Sequence, residues 1–385
     1  MRVLLNGINV ISSGGRAVVY GMVSSLETAA DITFDLVVPQ GYGYEHLQSS
    51  KNLNIHLMPC RNNRYLRRLT DVYINVAGWC REFQSDICFT LGDIGPIRLP
   101  LPHVVLLQQA MLVYRDTSFE KLWTLYEKCD FKYKRWHFAK MAENCAAITV
   151  QTPVMAKRLH EVYHVPQKDI WVIPSALPLH SSVKNDLTQR FVPMMIVNKP
   201  HRLLFLAAGY EHKNHIILPL VAEELRRRGL DDVVQIFVTL DPDKSSYEHK
   251  IIKQLEGYKN CITNLNRLDT AQVSKCYVAA SALLLPTMVE SFGLVYLEAM
   301  RHGCPILTSD RDFSRWVCGD MAYYFDPLDP ISIANVLEKF IKEGKNKDKE
   351  YTKLASRRLK EFPLSWEIVA RQYVNMLCQI YSAQA

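Results

Sequence analysis

The sequence predicts an α/β protein made of two consecutive domains, each with a parallel sheet between layers of helices. The chain has 385 residues, which is more than a typical single core needs and enough for two domains of ordinary size. Short apolar runs typical of buried strands alternate with longer helical stretches, which favours doubly wound sheets. The alternation lapses between Leu177 and Pro200 and then starts again, so we place a linker there between domains at residues 1–185 and 200–363.

Each predicted element follows from a local pattern. In the first domain, apolar runs predict strands at residues 3–5, 34–39, 87–90, 104–107, 147–150 and 170–174. A polar loop at residues 9–16 leads into a helix predicted at residues 17–26. In the second domain the predicted strands lie at residues 203–207, 233–240, 282–285, 306–308 and 323–325, with helices at residues 216–228 and 294–302. Apolar residues at helical spacing predict a last helix at residues 364–381.

Composition excludes several classes of protein. Apolar residues make up 48% and charged residues 22%, as in soluble globular proteins, and no run reaches the ~18 apolar residues of a membrane-spanning helix. The N-terminal apolar run is too short for a secretory signal. The 10 cysteines include no Cys-x-x-Cys pair, so neither a zinc site nor a disulfide framework is indicated. We therefore expect a cytoplasmic protein in a reducing compartment.

The net charge of +7 leans towards the first domain, where basic residues form two groups. One group is Arg61, Arg64, Arg67 and Arg68, and the other is Lys128, Lys132, Lys134, Arg135 and Lys140, interleaved with Phe131, Tyr133, Trp136 and Phe138. A basic aromatic helix suits peripheral contact with an anionic surface, such as the inner face of a membrane. The alternative is a solvated helix face whose aromatic side chains pack inward. No nucleic-acid-binding motif accompanies the charge, so we expect no nucleic-acid partner.

The most informative segment runs from Glu290 to Glu298 and reads Glu-Ser-Phe-Gly-Leu-Val-Tyr-Leu-Glu. It sets two carboxylates eight residues apart, across a loop with Ser291 and Gly293 and a helix that begins at Leu294. A glycine-containing turn at the start of a helix offers free backbone N–H groups and the positive end of the helix dipole, which suits a phosphate. Carboxylates suit hydroxyl donors such as a sugar and a ribose. The two features together indicate a nucleotide-sugar, and the alternative is an ordinary amphipathic helix after a loop.

This segment resembles the donor-site signature of the retaining glycosyltransferases of family 4. The resemblance continues into Glu-Ala-Met-x-x-Gly-x-Pro, which starts at Glu298, and includes the upstream strand and turn Leu-Leu-Leu-Pro-Thr at residues 283–287. It implies the GT-B fold, in which two Rossmann-like domains face a cleft. The first would be the acceptor-side domain and the second would bind the nucleotide-sugar donor. It also implies that a C-terminal helix, within residues 364–385, crosses back to the first domain.

The resemblance assigns roles to a set of donor-binding residues, which are Glu290, Ser291, Phe292, Gly293, Leu294 and Glu298. Glu290 would contact sugar hydroxyls near the centre where charge develops, and Glu298 would hydrogen-bond the ribose hydroxyls. The backbone N–H groups that follow Ser291 would meet the phosphate or the sugar.

A lysine in the loop after the first strand of this domain contacts the diphosphate in the family, and Lys213 matches it. We expect Lys213 to act with Glu290 in catalysis, and the alternative is a surface lysine near a helix start. The arginine that commonly precedes this lysine is missing, because Tyr210 and Glu211 stand near its place. Arg267 and His212 are the candidates for a second cation.

The resemblance is weaker in the first domain. Gly14 and Gly15 match a glycine pair whose backbone approaches the donor. Many members place a histidine where this chain has Gln108 and Gln109, which can orient a hydroxyl but cannot take a proton near pH 7. The front-face route drawn for the family needs no protein base, because the leaving phosphate accepts the proton. We assign Gln108, Gln109 and Asp93 to the acceptor side, and for Asp93 a turn-forming role is the alternative.

Asp241-Pro242-Asp243 follows a predicted strand and has the Asp-x-Asp pattern of a metal site. Such sites belong to a different glycosyltransferase fold, whose pattern is otherwise absent from this sequence. A polar turn is the interpretation that we prefer, since Asp and Pro favour turns. We therefore expect no metal and no cofactor.

The sequence thus predicts a metal-independent retaining glycosyltransferase that moves a hexosyl group from a UDP- or GDP-linked donor to an acceptor hydroxyl. The basic first domain favours a glycan or lipid-linked glycan as acceptor, such as a surface-polysaccharide, lipopolysaccharide or capsule precursor. The alternatives are a nucleotide-sugar epimerase and a catalytically weak donor-binding partner of another transferase. An NAD-dependent oxidoreductase is disfavoured, because the Gly-x-Gly-x-x-Gly fingerprint is absent.

Overall fold

The computed structural model describes residues 1–26, 31–59, 68–115, 118–177, 195, 198–344 and 349–383, and gives the backbone alone for Ser13, Arg68, Leu69, Asp71 and Tyr73. Most of the predicted linker at residues 177–200 lies outside the described residues, as do Arg61, Arg64 and Arg67. The chain divides into two compact units. The first unit comprises Met1–Arg115, Thr124–Leu179 and Pro363–Ala385, and the second comprises Asp116–Trp123 and His180–Phe362.

The first unit is built on a parallel sheet whose described strands are β1 (Arg2–Asn6), β2 (Thr33–Pro39), β3 (Leu53–Met58), β4 (Ile87–Thr90), β5 (His103–Leu106), β6 (Ala147–Val150) and β7 (Ile170–Val172). Their spatial order is β3-β2-β1-β4-β5-β6-β7. From β1 the chain first builds one side of the sheet and then crosses to β4 on the other side. The sequence does not predict β3, because this half-exposed edge strand carries the polar residues Asn54 and His56 within its short apolar run.

The second unit has a parallel sheet with the described strands β8 (His201–Phe205), β9 (Val234–Val238), β10 (Ile262–Asn264), β11 (Ala282–Leu285), β12 (Ile306–Ser309) and β13 (Ala322–Phe325). Their order is β10-β9-β8-β11-β12-β13. The connections that follow β8 and β11 therefore leave in opposite directions from neighbouring strands. Such a reversal of strand order opens a crevice at the carboxyl ends of the strands, where open α/β sheets bind their ligands.

Helices connect the strands in both units. The described α-helices are α1 (Ser13–Leu26), α2 (Val76–Glu82), α3 (Leu125–Ala142), α4 (Pro153–Tyr163), α5 (Leu218–Arg227), α6 (Ser246–Leu255), α7 (Thr270–Ala279), α8 (Leu294–Arg301), α9 (Asp312–Cys318), α10 (Pro330–Glu343), α11 (Lys349–Leu359) and α12 (Trp366–Ser382). A π-helical segment, Arg68–Asn75, precedes α2. Across the described ranges, none of these helices is long and apolar enough to cross a membrane.

Helix α1 begins at Ser13, earlier than the sequence predicts, so Gly14 and Gly15 lie in its first turn. The prediction that they form part of a loop is wrong. The Ser12 hydroxyl accepts a hydrogen bond from the Gly15 N–H at 3.3 Å, and the Ser12 carbonyl accepts one from the Arg16 N–H at 2.9 Å. This serine caps the helix and offsets the low helix propensity of the two glycines.

The C-terminal helix α12 packs on α1 and completes the core of the first unit. Its buried side chains are Trp366, Val369, Ala370, Tyr373, Met376 and Leu377. The ring of Trp366 lies directly against Gly21, where an added Cβ would come within 2.1 Å of the indole. Glycine at this position therefore allows the two helices to approach.

Candidate functional site

The candidate site lies in the second unit, at the carboxyl ends of the neighbouring strands β8 and β11. The loops that follow these strands are joined by hydrogen bonds to one carbonyl. The His212 carbonyl accepts from the Met288 N–H at 2.7 Å and from the Thr287 hydroxyl at 3.2 Å. These bonds fix the loop that carries Lys213 against the loop that carries Glu290.

Lys213 and Glu290 form an ion pair across the two loops. Both side chains are largely shielded from water, with 18% of the lysine and 11% of the glutamate exposed. Lys213 closes a 3₁₀ turn, Glu211–Lys213, and Asn214 follows in the left-handed region with φ of 65°. The Asn214 amide anchors that bend by donating to the Pro327 carbonyl at 2.7 Å. The structure thus brings together the two residues that the sequence predicts to act in catalysis.

Gly293 shapes the loop between Glu290 and α8. It precedes the helix with φ of 80° and ψ of 63°, a left-handed conformation that side chains disfavour. A Cβ at this position would lie 2.6 Å from the ring of Tyr296. The first amides of α8, beginning at Leu294, have no partners among the helix's own carbonyls. The Tyr296 N–H donates to the Gly293 carbonyl at 2.9 Å, and the amides before it suit an anionic group. Their role in binding a donor stays a prediction.

Phe292 anchors this loop through its buried side chain. Its side chain is 1% exposed and packs edge-on against Phe362, with ring centroids 5.8 Å apart, and near Trp316 at 6.4 Å. A role for Phe292 in binding a donor would therefore fall to its backbone. Its neighbour Ser291 is half-buried.

Glu298 lies on α8, and its carboxylate accepts a hydrogen bond from the Tyr277 hydroxyl at 3.0 Å. Burial raises the pKa of Glu298 to about 7, and the hydrogen bond from Tyr277 opposes that rise. The ring of Tyr277 is itself fully buried and stacks on the imidazole of His302 at 5.3 Å. Sequence reasoning did not identify Tyr277, because it lies on α7, and no local pattern links that helix to α8.

Aromatic residues surround the loop that carries Lys213. The imidazole of His212 stacks on Tyr210, with ring centroids 5.6 Å apart, and faces Phe119 at 6.0 Å. Phe119 is buried and belongs to Asp116–Trp123, the early stretch of the chain that is part of the second unit. Sequence reasoning missed Phe119 as well, because it lies far along the chain from the loop that it contacts.

Among the described residues, neither His212 nor Arg267 is established as a second cation. Burial, with a contribution from the Lys213 charge, holds the pKa of His212 well below its usual range, so this imidazole is neutral near pH 7. Arg267 is exposed, and the described residues show no ion pair between it and Glu290. Lys213 is therefore the cation that the described residues place beside Glu290.

The predicted acceptor-side residues lie in the first unit, after β4 and β5. The Asp93 carboxylate accepts hydrogen bonds from the N–H groups of Gln108 at 2.7 Å and Gln109 at 2.6 Å. Burial raises the pKa of Asp93, and these two hydrogen bonds oppose the rise. The Gln108 amide donates to the Leu91 carbonyl at 2.9 Å, and its oxygen lies near Gly15. Asp93 thus holds the backbone that presents the two glutamines.

Asp241 and Asp243 form a turn after β9. The Asp241 carboxylate accepts from the Asp243 N–H at 3.1 Å, and the Glu248 carboxylate accepts from the Asp241 N–H at 2.6 Å. Among the residues that the structure describes, no group of three or more His, Cys, Asp or Glu side chains is placed to hold a metal ion. Independence from metal stays a prediction.

The basic aromatic stretch forms α3, and its residues divide between the interior and the surface. Phe131 and Phe138 are buried, whereas Trp136 is 53% exposed and Tyr133 is 38% exposed. Several of the basic groups bind within the first unit. Lys134 pairs with Asp130, Lys140 pairs with Glu143, and Arg135 donates to the carbonyls of Met111 and Tyr114.

Residues 192–358 match the family model of the glycosyl transferases group 1. This part of the chain is a group 1 glycosyltransferase domain. The predicted family resemblance is confirmed at that level. Retention of configuration and membership of family 4 stay predictions.

Curated relatives align with part of this chain. Glycogen synthase of Thermodesulfovibrio yellowstonii is 25% identical over 172 residues, which cover 42% of the chain and 34% of that relative. The O-antigen chain mannosyltransferase RfbU of Salmonella typhimurium is 24% identical over 198 residues, which cover 51% of each chain. The chain thus spans between a third and a half of the length of these relatives.

Solved structures match this chain over 98–100% of its length. Sucrose-phosphate synthase from Thermosynechococcus elongatus has a TM-score of 0.74 at 13% identity and covers 100% of both chains. HepE of Anabaena, solved with UDP and glucose, has a TM-score of 0.72 at 12% identity and covers 98% of this chain and 100% of its own. At such identities the similarity shows the fold alone. With the two parallel sheets, it confirms the predicted GT-B fold class.

Proposed function

We propose that this glycosyltransferase moves a sugar from a UDP- or GDP-linked donor to an acceptor hydroxyl, with retention of configuration and without a metal ion. The observation that carries the proposal is the ion pair of Lys213 and Glu290 at the reversal of strand order, beside the start of α8. A cation and helix amides suit a diphosphate, and a carboxylate suits sugar hydroxyls. The names of the relatives, a glycogen synthase and a mannosyltransferase, agree with sugar transfer.

The proposed reaction uses each of these groups at a stated point. The bond between the anomeric carbon and the diphosphate oxygen breaks, and a bond from the acceptor oxygen to the same face of that carbon forms. The acceptor proton passes to the leaving phosphate. Lys213 and the amides of α8 stabilise the negative charge of the departing diphosphate, while Glu290 stabilises the positive charge that develops on the sugar. Glu298 accepts hydrogen bonds from the ribose hydroxyls.

The ion pair also explains how the site tolerates two shielded charges. Each partner neutralises the other, which avoids the cost of an unpaired charge in a partly buried position. In the proposed complex a diphosphate replaces Glu290 as the ion-pair partner of the Lys213 ammonium group. The Glu290 carboxylate is then released towards the sugar hydroxyls, so donor binding exchanges one set of charge-assisted hydrogen bonds for another.

Loss of either partner of the pair should abolish most of the activity. We expect Lys213→Ala and Glu290→Ala to lower turnover with UDP-glucose or GDP-mannose by about 10²–10³-fold. The matched control is Lys342→Ala, which removes a lysine from the exposed pair with Glu338 in the same unit and should leave turnover unchanged. Normal turnover in both site variants, with the fold intact, would overturn the proposed mechanism.

Product analysis distinguishes the proposed reaction from its alternatives. Nuclear magnetic resonance of the new glycoside should show the anomeric configuration of the donor, and turnover should persist in EDTA. Conversion of the donor without an acceptor would indicate an epimerase. Donor binding by calorimetry without transfer to any glycan would indicate a donor-binding partner of another transferase. Inversion of configuration, or loss of turnover in EDTA, would contradict the corresponding part of the proposal.

We further propose that the acceptor is a lipid-linked surface glycan, such as a lipopolysaccharide or capsule precursor, met at the cytoplasmic face of a membrane. Support comes from one stripe of α3, which we call the Trp136 face and which comprises Leu125, Lys128, Lys132 and Trp136. Leu125 is 79% exposed and Trp136 is 53% exposed, and both lysines are exposed. Exposed apolar side chains flanked by lysines suit an anionic lipid surface.

Sedimentation with lipid vesicles tests the Trp136 face. The protein should bind vesicles that contain phosphatidylglycerol and not vesicles of phosphatidylcholine alone, and salt should weaken binding. Leu125→Ser combined with Trp136→Ser should release it. The control is Leu220→Ser, which alters an apolar residue that is 49% exposed in the second unit. Equal binding by the double variant would contradict this role for α3.

A further inference from the structure

The Tyr277 hydroxyl has two acceptors within reach and one proton to donate. Its oxygen lies 3.0 Å from a carboxylate oxygen of Glu298 and 3.2 Å from the carbonyl oxygen of Val295. A phenol can donate to one of these at a time, and it can also accept a hydrogen bond. The pair of Tyr277 and Glu298 therefore has two satisfied arrangements, which differ by one proton on the glutamate.

We propose that Tyr277 is a positioning residue that orients Glu298 and holds its carboxylate in the ionised form that binds the donor. When Glu298 is ionised, Tyr277 donates to it. When Glu298 is protonated, its carboxyl group donates to the Tyr277 oxygen, and the phenol proton turns to the Val295 carbonyl. The inference rests on the proposed function, because the donor contact of Glu298 belongs to that proposal.

The surroundings of Tyr277 hold its hydroxyl in place. The side chain is fully buried on α7, and its ring lies parallel to the imidazole of His302, with 10° between the planes. Asp269 caps α7 through a hydrogen bond from the Gln272 N–H at 2.8 Å, so the start of that helix is fixed. A rigid phenol can fix the rotamer of the carboxylate that it contacts.

Both arrangements are accessible near neutral pH. Burial raises the pKa of Glu298 to about 7, and the hydrogen bond from Tyr277 lowers that pKa. Burial raises the pKa of Tyr277 well above its usual range, so the phenol stays protonated. The other titratable groups beside Tyr277 are the thiols of Cys276 and Cys304 and the imidazole of His302. Of these groups, the phenol of Tyr277 donates the hydrogen bond that is known to favour the charged form of Glu298.

The state of Glu298 matters because a ribose presents hydroxyl donors. An ionised carboxylate accepts from both hydroxyls of a ribose, whereas a protonated one has lost part of that capacity. Donor binding should therefore weaken as the pH falls through 7. Removal of the phenol should raise the pKa of Glu298, so the variant should need a higher pH to bind the donor equally well.

The direct test is the titration of Glu298 by carbon-13 nuclear magnetic resonance of protein labelled at glutamate side chains. Glu298→Gln assigns the signal, because only that signal disappears. We expect Tyr277→Phe, which keeps the stacked ring, to raise the midpoint by about one pH unit. Tyr258→Phe is the matched control, since Tyr258 donates to Glu223 at 2.7 Å on the surface of the same unit. An unchanged midpoint for Glu298 in Tyr277→Phe would overturn the inference.

Calorimetry with UDP-glucose, whose diphosphate has no proton to lose near pH 7, tests the consequence for binding. A rise of about one unit in the midpoint predicts that Tyr277→Phe weakens binding about fivefold at pH 7 and less than twofold at pH 8.5. Equal weakening at both pH values would indicate a merely structural role and would also overturn the inference.

The proposed function and the role inferred for Tyr277 can be refuted independently of each other. If Glu298→Gln binds UDP-glucose as tightly as the unaltered protein does, the ribose contact is wrong. A raised midpoint in Tyr277→Phe would then still support Tyr277 as the residue that sets the ionisation of Glu298.

Discussion

Gly293 offers a quantitative test of the loop that precedes α8. Gly293→Ala places a Cβ on a residue with φ of 80°, and a left-handed conformation costs a non-glycine residue about 1–2 kcal/mol. The added carbon would also lie 2.6 Å and 2.7 Å from two ring carbons of Tyr296. Crowding of a well-packed site typically costs a further 1–3 kcal/mol or so. We therefore expect a loss of about 2–5 kcal/mol in the free energy of unfolding.

The ring of Tyr296 has little freedom to move away. It is fully buried, and its hydroxyl is bonded to the Thr308 hydroxyl at 2.8 Å. Thr308 in turn donates to the carbonyl of Leu285 at 3.0 Å. The clash should therefore be relieved by movement of the loop at residues 290–293, which would disturb Glu290. Transfer activity should fall in Gly293→Ala under conditions in which the protein remains folded.

Urea denaturation measures the cost, and Gly344→Ala separates its two sources. Gly344 also has a positive φ, 60°, but among the described residues no heavy atom beyond its own helix and chain neighbours lies within 4 Å of its added Cβ. This control should lose about 1–2 kcal/mol, from the backbone conformation alone. If Gly293→Ala costs no more than Gly344→Ala, the predicted clash with Tyr296 is refuted.

Two further predictions concern the first unit, and urea denaturation tests both. Trp366→Ala should lower the free energy of unfolding by about 3–5 kcal/mol, because the indole is 2% exposed. Ile368→Ala on the same helix is the control, and it should cost less than about 1 kcal/mol because Ile368 is 38% exposed. Equal costs would contradict the packing of Trp366 on α1. Asp93→Ala should lower the free energy of unfolding by about 2 kcal/mol, because the N–H groups of Gln108 and Gln109 lose their acceptor. Asp93→Asn should cost markedly less, because its side chain keeps an acceptor oxygen. A larger cost for the Asn variant would show that the charge of Asp93 matters more than its geometry.

The buried strands were predictable because their apolar runs are unambiguous. The strands predicted at residues 87–90, 147–150 and 282–285 agree with β4, β6 and β11 to the residue. The short strand β10 and the half-exposed edge strand β3 escaped prediction, since neither carries a long apolar run. The start of α1 was misplaced because the glycine pair suggested a loop, whereas the cap at Ser12 begins a helix.

The candidate site was predictable where its chemistry is local in sequence. Glu290, Gly293 and Glu298 lie in one short segment, and the family resemblance pointed to Lys213. Contacts between distant segments could not be predicted from the sequence, because no local pattern shows which side chains contact one another in the folded chain. The hydrogen bond from Tyr277 to Glu298 is of this kind, and it joins residues on two different helices.

The order in which the chain is synthesised determines when its first unit can complete its fold. Its first unit is closed by α12, which leaves the ribosome only after the whole of the second unit has been translated. Until then the groove that receives Trp366 and Tyr373 is open to water, although the strands of that unit are synthesised first. A fragment that ends near Leu179 would keep this groove permanently uncovered and would also take Asp116–Trp123 away from its partners. Separate production of the two halves should therefore yield incompletely folded fragments that aggregate. Division of the gene at the predicted linker, residues 177–200, should isolate neither unit in its folded form.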